Sequence, residues 1–137
     1  MSEPTQSQCA KPGQFSWNEL IASNPQAATD FYGKLFGWQA TAFSPPGMPA
    51  GGPPYTLFKS GANDEMGAGG MVPAPAPGMP SQWVPYVVVE NADATLAKAS
   101  ELGAKVCVPV MAIQGVGRIA VIQDPQGATI GIHEPPK

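Results

Sequence analysis

Between positions 14 and 134 the chain switches between two hydrophobic periods. Segment 14–22 mixes aromatic, branched and polar residues in a strand-like run. Asn24 and Pro25 follow, an N-cap and a residue suited to the first helical position, where a missing N–H costs nothing. Ala28, Phe31, Tyr32 and Leu35 recur at the spacing of one helical face, and Gly37 supplies a left-handed stop. Strands are predicted at 38–43, 55–59 and 66–72, with Asn63 and Asp64 forming a turn before the last. The proline- and glycine-rich segments 44–54 and 73–81 read as loops. The pattern then restarts. Segment 83–89 is apolar throughout, as in a strand covered on both faces. Asn91 caps a second helix with Leu96, Ala99 and Leu102 on its buried side and Gly103 at its end. Strands follow at 105–110, 118–123 and 128–133, the last two joined by an Asp124-Pro125-Gln126-Gly127 turn.

The order strand, helix, three strands thus occurs twice, with both asparagine caps and both glycine stops at nearly the same offset, and we read it as a duplication. The fold class is α+β: two βαβββ repeats, about 14–72 and 82–134, within a single domain 14–137 that follows a polar tail, 1–13, expected to be mobile. A sheet covered by its helix on one face leaves the other face over, and two curled sheets side by side enclose an open cleft. Because side chains alternate along a strand, Trp17, Glu19 and Ile21 should face the cleft, with Leu20 and Ala22 under the helix. On the fifth strand the cleft set is Val84, Tyr86 and Val88. On the last it is Thr129, Gly131 and His133, leaving Ile130 and Ile132 to the helix.

Composition narrows the partners. A chain of 137 residues is one domain by length. Charged residues are 12%, about half the usual share of roughly 25%. Seven Lys and Arg against ten Asp and Glu give a net charge of −3, too few cations to build a nucleic-acid surface. No apolar run reaches the roughly 18 residues that cross a bilayer, and the first residues do not read as a signal peptide. The expected compartment is therefore the cytoplasm, with no membrane partner and with Cys9 and Cys107 reduced, a bridge between them being the minor alternative.

Several stretches together resemble the vicinal oxygen chelate superfamily, the group of glyoxalases, bleomycin-resistance proteins and extradiol dioxygenases. They are Trp17-Asn18-Glu19-Leu20 leading to Asn24-Pro25, Phe31-Tyr32, Leu35-Phe36-Gly37-Trp38, Tyr86-Val87-Val88-Val89 before Asn91, Glu101-Leu102-Gly103-Ala104, and Asp124-Pro125-Gln126-Gly127-Ala128. The resemblance implies a fold more than an activity, since one fold hosts many chemistries. It also implies a divalent metal held by a histidine on the first strand, a histidine on the fifth and a glutamate on the eighth. Counted from the motifs, those positions fall on Trp17, Val84 and Gly131, none of which can coordinate through its side chain. Glu19 and His133 each lie two residues beyond a lost ligand and are the candidates for a displaced site, for a hydrogen-bonded pair or for metal-free general-base chemistry. Arg118 is either a lone cation near the mouth or an exposed residue at the start of a strand.

No catalytic residue is assigned, and no cofactor or metal is expected. The candidate ligand-binding residues are Trp17, Glu19, Phe58, Trp83, Tyr86, Gly131 and His133, flat apolar walls with a few polar tips. The glycine-rich run at 67–70 leaves its strand bare for close approach, and the loops 44–54 and 73–81 are candidate lids. The leading reading is a protein that binds a small aromatic or amphipathic molecule in a metal-free cleft. Its alternatives are a metal-dependent lyase, isomerase, hydroxylase or dioxygenase with an atypical site, and a module without a native ligand. The resemblance further implies a homodimer in which subunits exchange halves.

Overall fold

In a computed structural model, residues 10–43, 55–61, 64, 67–74, 78, 80–113 and 116–136 are described. The elements run β1 (Phe15–Ala22), α1 (Pro25–Phe36), β2 (Gln39–Phe43), β3 (Tyr55–Lys59), β4 (Gly69–Pro73), β5 (Gln82–Val88), α2 (Ala92–Glu101), β6 (Lys105–Ile113), β7 (Gly117–Gln123) and β8 (Thr129–Glu134). The βαβββ order therefore appears twice. The helix ends form as their residues dictate. The Asn24 side chain accepts from the Ala27 N–H at 3.1 Å, and that of Asn91 from the Ala94 N–H at 2.9 Å. Gly37 closes α1 at a φ of 75°, where a side chain would be strained.

The described chain divides into two compact units. The N-terminal unit runs from Asn18 to Trp83 and orders its strands β2-β3-β4-β1, with β1 parallel to β4 and the other pairs antiparallel. Leu20, Ala22, Phe58 and Met71 form its buried core, with Ala28 and Tyr32 of α1 and Trp38 packed against them. This places Leu20 and Ala22 under the helix, as alternation along β1 requires. The other unit comprises the residues up to Trp17 and those from Val84 onward. Its order is β5-β8-β7-β6, with β5 parallel to β8 and the rest antiparallel. The residues just before β1 join it. The Gly13 N–H donates to the Val88 carbonyl, and the Val88 N–H donates to the Gln14 carbonyl.

Four expectations need correction. The strand predicted from 66 is formed from Gly69 onward: the Gly67 N–H is taken by the Asp64 carboxylate at 2.9 Å, which keeps Gly67 out of the ladder, and Met66 lies outside the described residues. β6 runs past Pro109 to Ile113. A proline is compatible with a strand at the edge of its sheet, and two register shifts against β7 absorb the irregularity. On α1, Phe31 and Leu35 are 57% and 56% exposed, because the narrow sheet covers only the Ala28–Tyr32 side of the helix. Leu102, 68% exposed, is the C-cap of α2 and has left the helical face that holds Leu96 and Ala99. The candidate lid 44–54, residues 1–9 with Cys9, and part of 73–81 lie outside the described residues.

Candidate functional site

The face of the C-terminal unit turned away from α2 carries three of the seven candidate ligand-binding residues, Tyr86, Gly131 and His133. Tyr86 pairs with Gly131 and Val88 with His133 across the parallel β5–β8 ladder, so these four share one face. A Cβ placed on Gly131 would overlap the Tyr86 ring. The ring therefore lies over that glycine and is itself only 3% exposed. Val84 and Val88 are buried on either side of it along β5. Trp17, half-buried, belongs to the same unit at the point where β1 leaves it.

This arrangement does not fit the divalent metal that the resemblance implies. The three ligand positions hold an indole, an isopropyl group and no side chain, and none of them donates an electron pair to a cation. The space over Gly131, where a carboxylate stem would begin, is filled by the Tyr86 ring. Among the described residues no group of three His, Cys, Asp or Glu side chains is placed to hold a metal ion.

His133 has both ring nitrogens engaged within its own unit. Nδ1 lies 3.0 Å from the Ser16 hydroxyl oxygen, and Nε2 lies 2.7 Å from the Val116 carbonyl oxygen. The partners are thus a hydroxyl and a backbone carbonyl, in place of the Glu19 carboxylate anticipated for this ring. Neither Ser16 nor Val116 was legible as a site residue. Ser16 stands next to Trp17 with the opposite parity, and Val116 belongs to a turn.

Glu19 sits in the N-terminal unit, 6% exposed, directly opposite Gly70 in the β1–β4 ladder. A Cβ on Gly70 would collide with the Tyr55 hydroxyl, so that phenol lies over the glycine beside Glu19. Phe58 and Trp83 depart from the expected open face. Phe58 is fully buried under α1, with ring centroids 6.1 Å from Tyr32 and 5.3 Å from Trp38. Trp83 joins the same aromatic group, 5.6 Å from Tyr32, and its indole N–H donates to the Tyr32 hydroxyl at 3.0 Å. Both rings sit on the helix side because β3 turns Phe58 toward Gly69, whose missing side chain admits Trp83. Arg118 is not a lone cation: it pairs with Asp93 on α2 at 2.7 Å. Directly opposite Arg118 in the β7–β8 ladder, the Glu134 carboxylate accepts from the Ala92 N–H at 2.7 Å and caps the start of α2.

Comparison with known proteins follows the same lines. The family model described as Glyoxalase/Bleomycin resistance protein/Dioxygenase superfamily matches residues 14–132. A Mycobacterium tuberculosis protein named "Putative glyoxylase CFP32" is 37% identical over 123 residues, covering 90% of this chain and 44% of its own length. The anthracycline biosynthesis protein DnrV of Streptomyces peucetius is 36% identical over 132 residues, covering 88% of this chain and 46% of its own. The chain thus spans about half the length of these curated relatives. Among solved structures, methylmalonyl-CoA epimerase from Mycobacterium tuberculosis has a TM-score of 0.51 at 16% identity, covering 91% of this chain and 89% of that one. A homoprotocatechuate 2,3-dioxygenase variant from B. fuscum has a TM-score of 0.56 at 14% identity, covering 92% of this chain and 34% of that one. These two likenesses establish the fold alone.

Proposed function

The chain belongs to the glyoxalase/bleomycin resistance protein/dioxygenase superfamily, and from that premise we propose that it binds a planar aromatic or amphipathic small molecule without a metal ion, on the face of the C-terminal unit that carries Tyr86 and His133. The observation that carries this reading is the Tyr86 ring over Gly131, which fills the space where a ligating stem would begin and leaves that face lined by apolar groups. Aromatic floors with a few polar groups at their edge are the usual form of a small-molecule site. Here Ser16 and His133 supply the polar edge. A relative named for anthracycline biosynthesis supports a polycyclic, planar ligand. No helix among the described residues is long and apolar enough to cross a membrane. The homodimer belongs to the same proposal, and the exposed ridge of Phe31, Leu35 and Phe36 on α1 is the apolar surface it offers. Light scattering that finds only a 14.2 kDa species counts against that part.

The test uses an anthracycline and 1-aminoanthraquinone as probes, read by protein fluorescence and by thermal unfolding with and without EDTA. The expected result is saturable one-to-one binding, insensitive to EDTA and lost in His133→Ala. A probe present at one hundred times its Kd adds about 2.7 kcal/mol to the unfolding free energy. Stoichiometric metal retained through dialysis, with binding abolished by EDTA, refutes the metal-free site. Absence of saturable binding by either probe refutes the ligand class.

A further inference from the structure

We propose that Ser16 and His133 form a nucleophile–base pair that accepts acyl groups from carboxylic esters. This activity uses two residues that the binding reading places at the edge of its site, but it rests on their own hydrogen bonds and stands without that reading. The Ser16 hydroxyl oxygen lies 3.0 Å from His133 Nδ1, and Nε2 of the same ring lies 2.7 Å from the Val116 carbonyl oxygen. A carbonyl only accepts. In the neutral ring Nε2 therefore carries the hydrogen, and Nδ1 presents its lone pair to the Ser16 O–H, which donates. A hydroxyl, a base within hydrogen-bond reach and a third group that orients the base are the parts of an activated serine.

The orienting group is fixed by backbone. The Val116 N–H donates to the Ile113 carbonyl at 3.0 Å. The next residue, Gly117, has a φ of 109°, and a Cβ there would strike the backbone carbonyl of Glu134, the residue after His133. That close approach holds the β7 end of the turn against the end of β8. Three distant stretches of chain thus converge on one imidazole, and neither Ser16 nor His133 is sealed from solvent.

The chemistry balances with these groups and water. Ser16 Oγ bonds to the ester carbonyl carbon as its proton passes to Nδ1. The bond to the alcohol oxygen then breaks, and the alcohol leaves with that proton. Water attacks the acyl-serine and gives its proton to Nδ1. The Oγ–carbon bond breaks, Oγ takes the proton back, and the carboxylic acid departs.

The full chain is incubated with a fluorophosphonate, which bonds phosphorus to an activated serine oxygen with loss of fluoride, and separately with p-nitrophenyl acetate. Peptide mass mapping follows both reactions. The expected result is one fluorophosphonate adduct, at Ser16, forming about 100-fold faster than at Ser23 or Ser81 and slowed by a similar factor in His133→Gln. The acetate should add one acetyl group to the same peptide. Labelling of Ser16 no faster than of Ser23 or Ser81, or a folded His133→Gln variant labelled at the unsubstituted rate, overturns the pair. A Ser16 peptide that gains no acetyl group, together with p-nitrophenol release no faster than from a Ser16→Ala variant, overturns the ester assignment. Should His133→Gln fail to fold by circular dichroism, the comparison among serines in the unsubstituted chain decides alone.

Discussion

Gly131→Ala is the sharpest test of the site as built. The backbone of Gly131 is not in the left-handed region, so alanine meets no conformational penalty there. Strand glycine is itself less stable than alanine by roughly 0.5–1 kcal/mol, which alone would make the substitution favourable. The added methyl, however, would stand 2.6 Å from Tyr86 Cγ and closer still to two other ring atoms, against the 3.4 Å at which ordinary contact begins. The ring is 3% exposed and cannot swing into water, so it must push its neighbours. Overpacking of this kind costs about 1–3 kcal/mol. The assay is urea denaturation of the single variants and the double variant with Tyr86→Ala, compared at equal m-value. Gly131→Ala should destabilise the native background by about 1–3 kcal/mol and stabilise the Tyr86→Ala background by about 0.5–1 kcal/mol. The reversal of sign is the signature of the contact. The same cost in both backgrounds would show that the ring does not lie over Gly131.

Phe58→Ala should cost about 3–5 kcal/mol, since it empties a fully buried ring site beneath α1. Leu102→Ala, at a position mostly in solvent, should change stability by no more than about 0.5 kcal/mol; comparable losses for the two in urea denaturation would contradict the placement of the core. Asp64 gives a pH dependence of known sign. Hydrogen bonds from the Ser60 N–H, the Ser60 hydroxyl and the Gly67 N–H hold its carboxyl below the ordinary value of 3.8. A depressed folded pKa contributes stability that is present above the unfolded value and lost as the pH falls through the folded one. The gap in unfolding temperature between the unsubstituted chain and Asp64→Ala should therefore be full at neutral pH and shrink as the pH falls below about 4. A gap that widens on acidification would refute the assignment.

What was legible in the sequence was local. Asn24, Asn91 and Gly37 act within one turn of the residues they cap, and the Asp124 carboxylate accepts from the Gln126 and Ala128 N–H groups of its own turn. Parity was legible on β1 because Leu20 and Ala22 are followed by the helix that covers them. It failed on β3, where Tyr55, Leu57 and Phe58 put aromatic or apolar residues on both faces and only the pairing of Phe58 with Gly69 decides. Helical spacing likewise located the apolar side of α1 but not how much of it a narrow sheet would cover, hence the exposed Phe31 and Leu35. The partner of His133 was beyond reach for a different reason. Ser16 lies 117 residues away, and no local pattern encodes a contact between the first strand and the last.

The two repeats also show how duplicated positions part company. Glu19 and Tyr86 each stand five residues before a helix cap, Asn24 and Asn91, and each faces a glycine across a parallel ladder, Gly70 and Gly131. Both glycines are overlaid by a tyrosine, which keeps the bare backbone of the strand covered in either unit. In the C-terminal repeat that ring comes from the directly opposed residue, Tyr86. In the N-terminal repeat it comes from Tyr55, one strand further along, by way of β3. Supplying the ring from β3 relieves position 19 of filling the space over its glycine, so a carboxylate can occupy there the place that a phenol must take in the other repeat. The glycine–tyrosine contact is thus the element the two units share, and the chemical difference between them rests on which strand provides the ring.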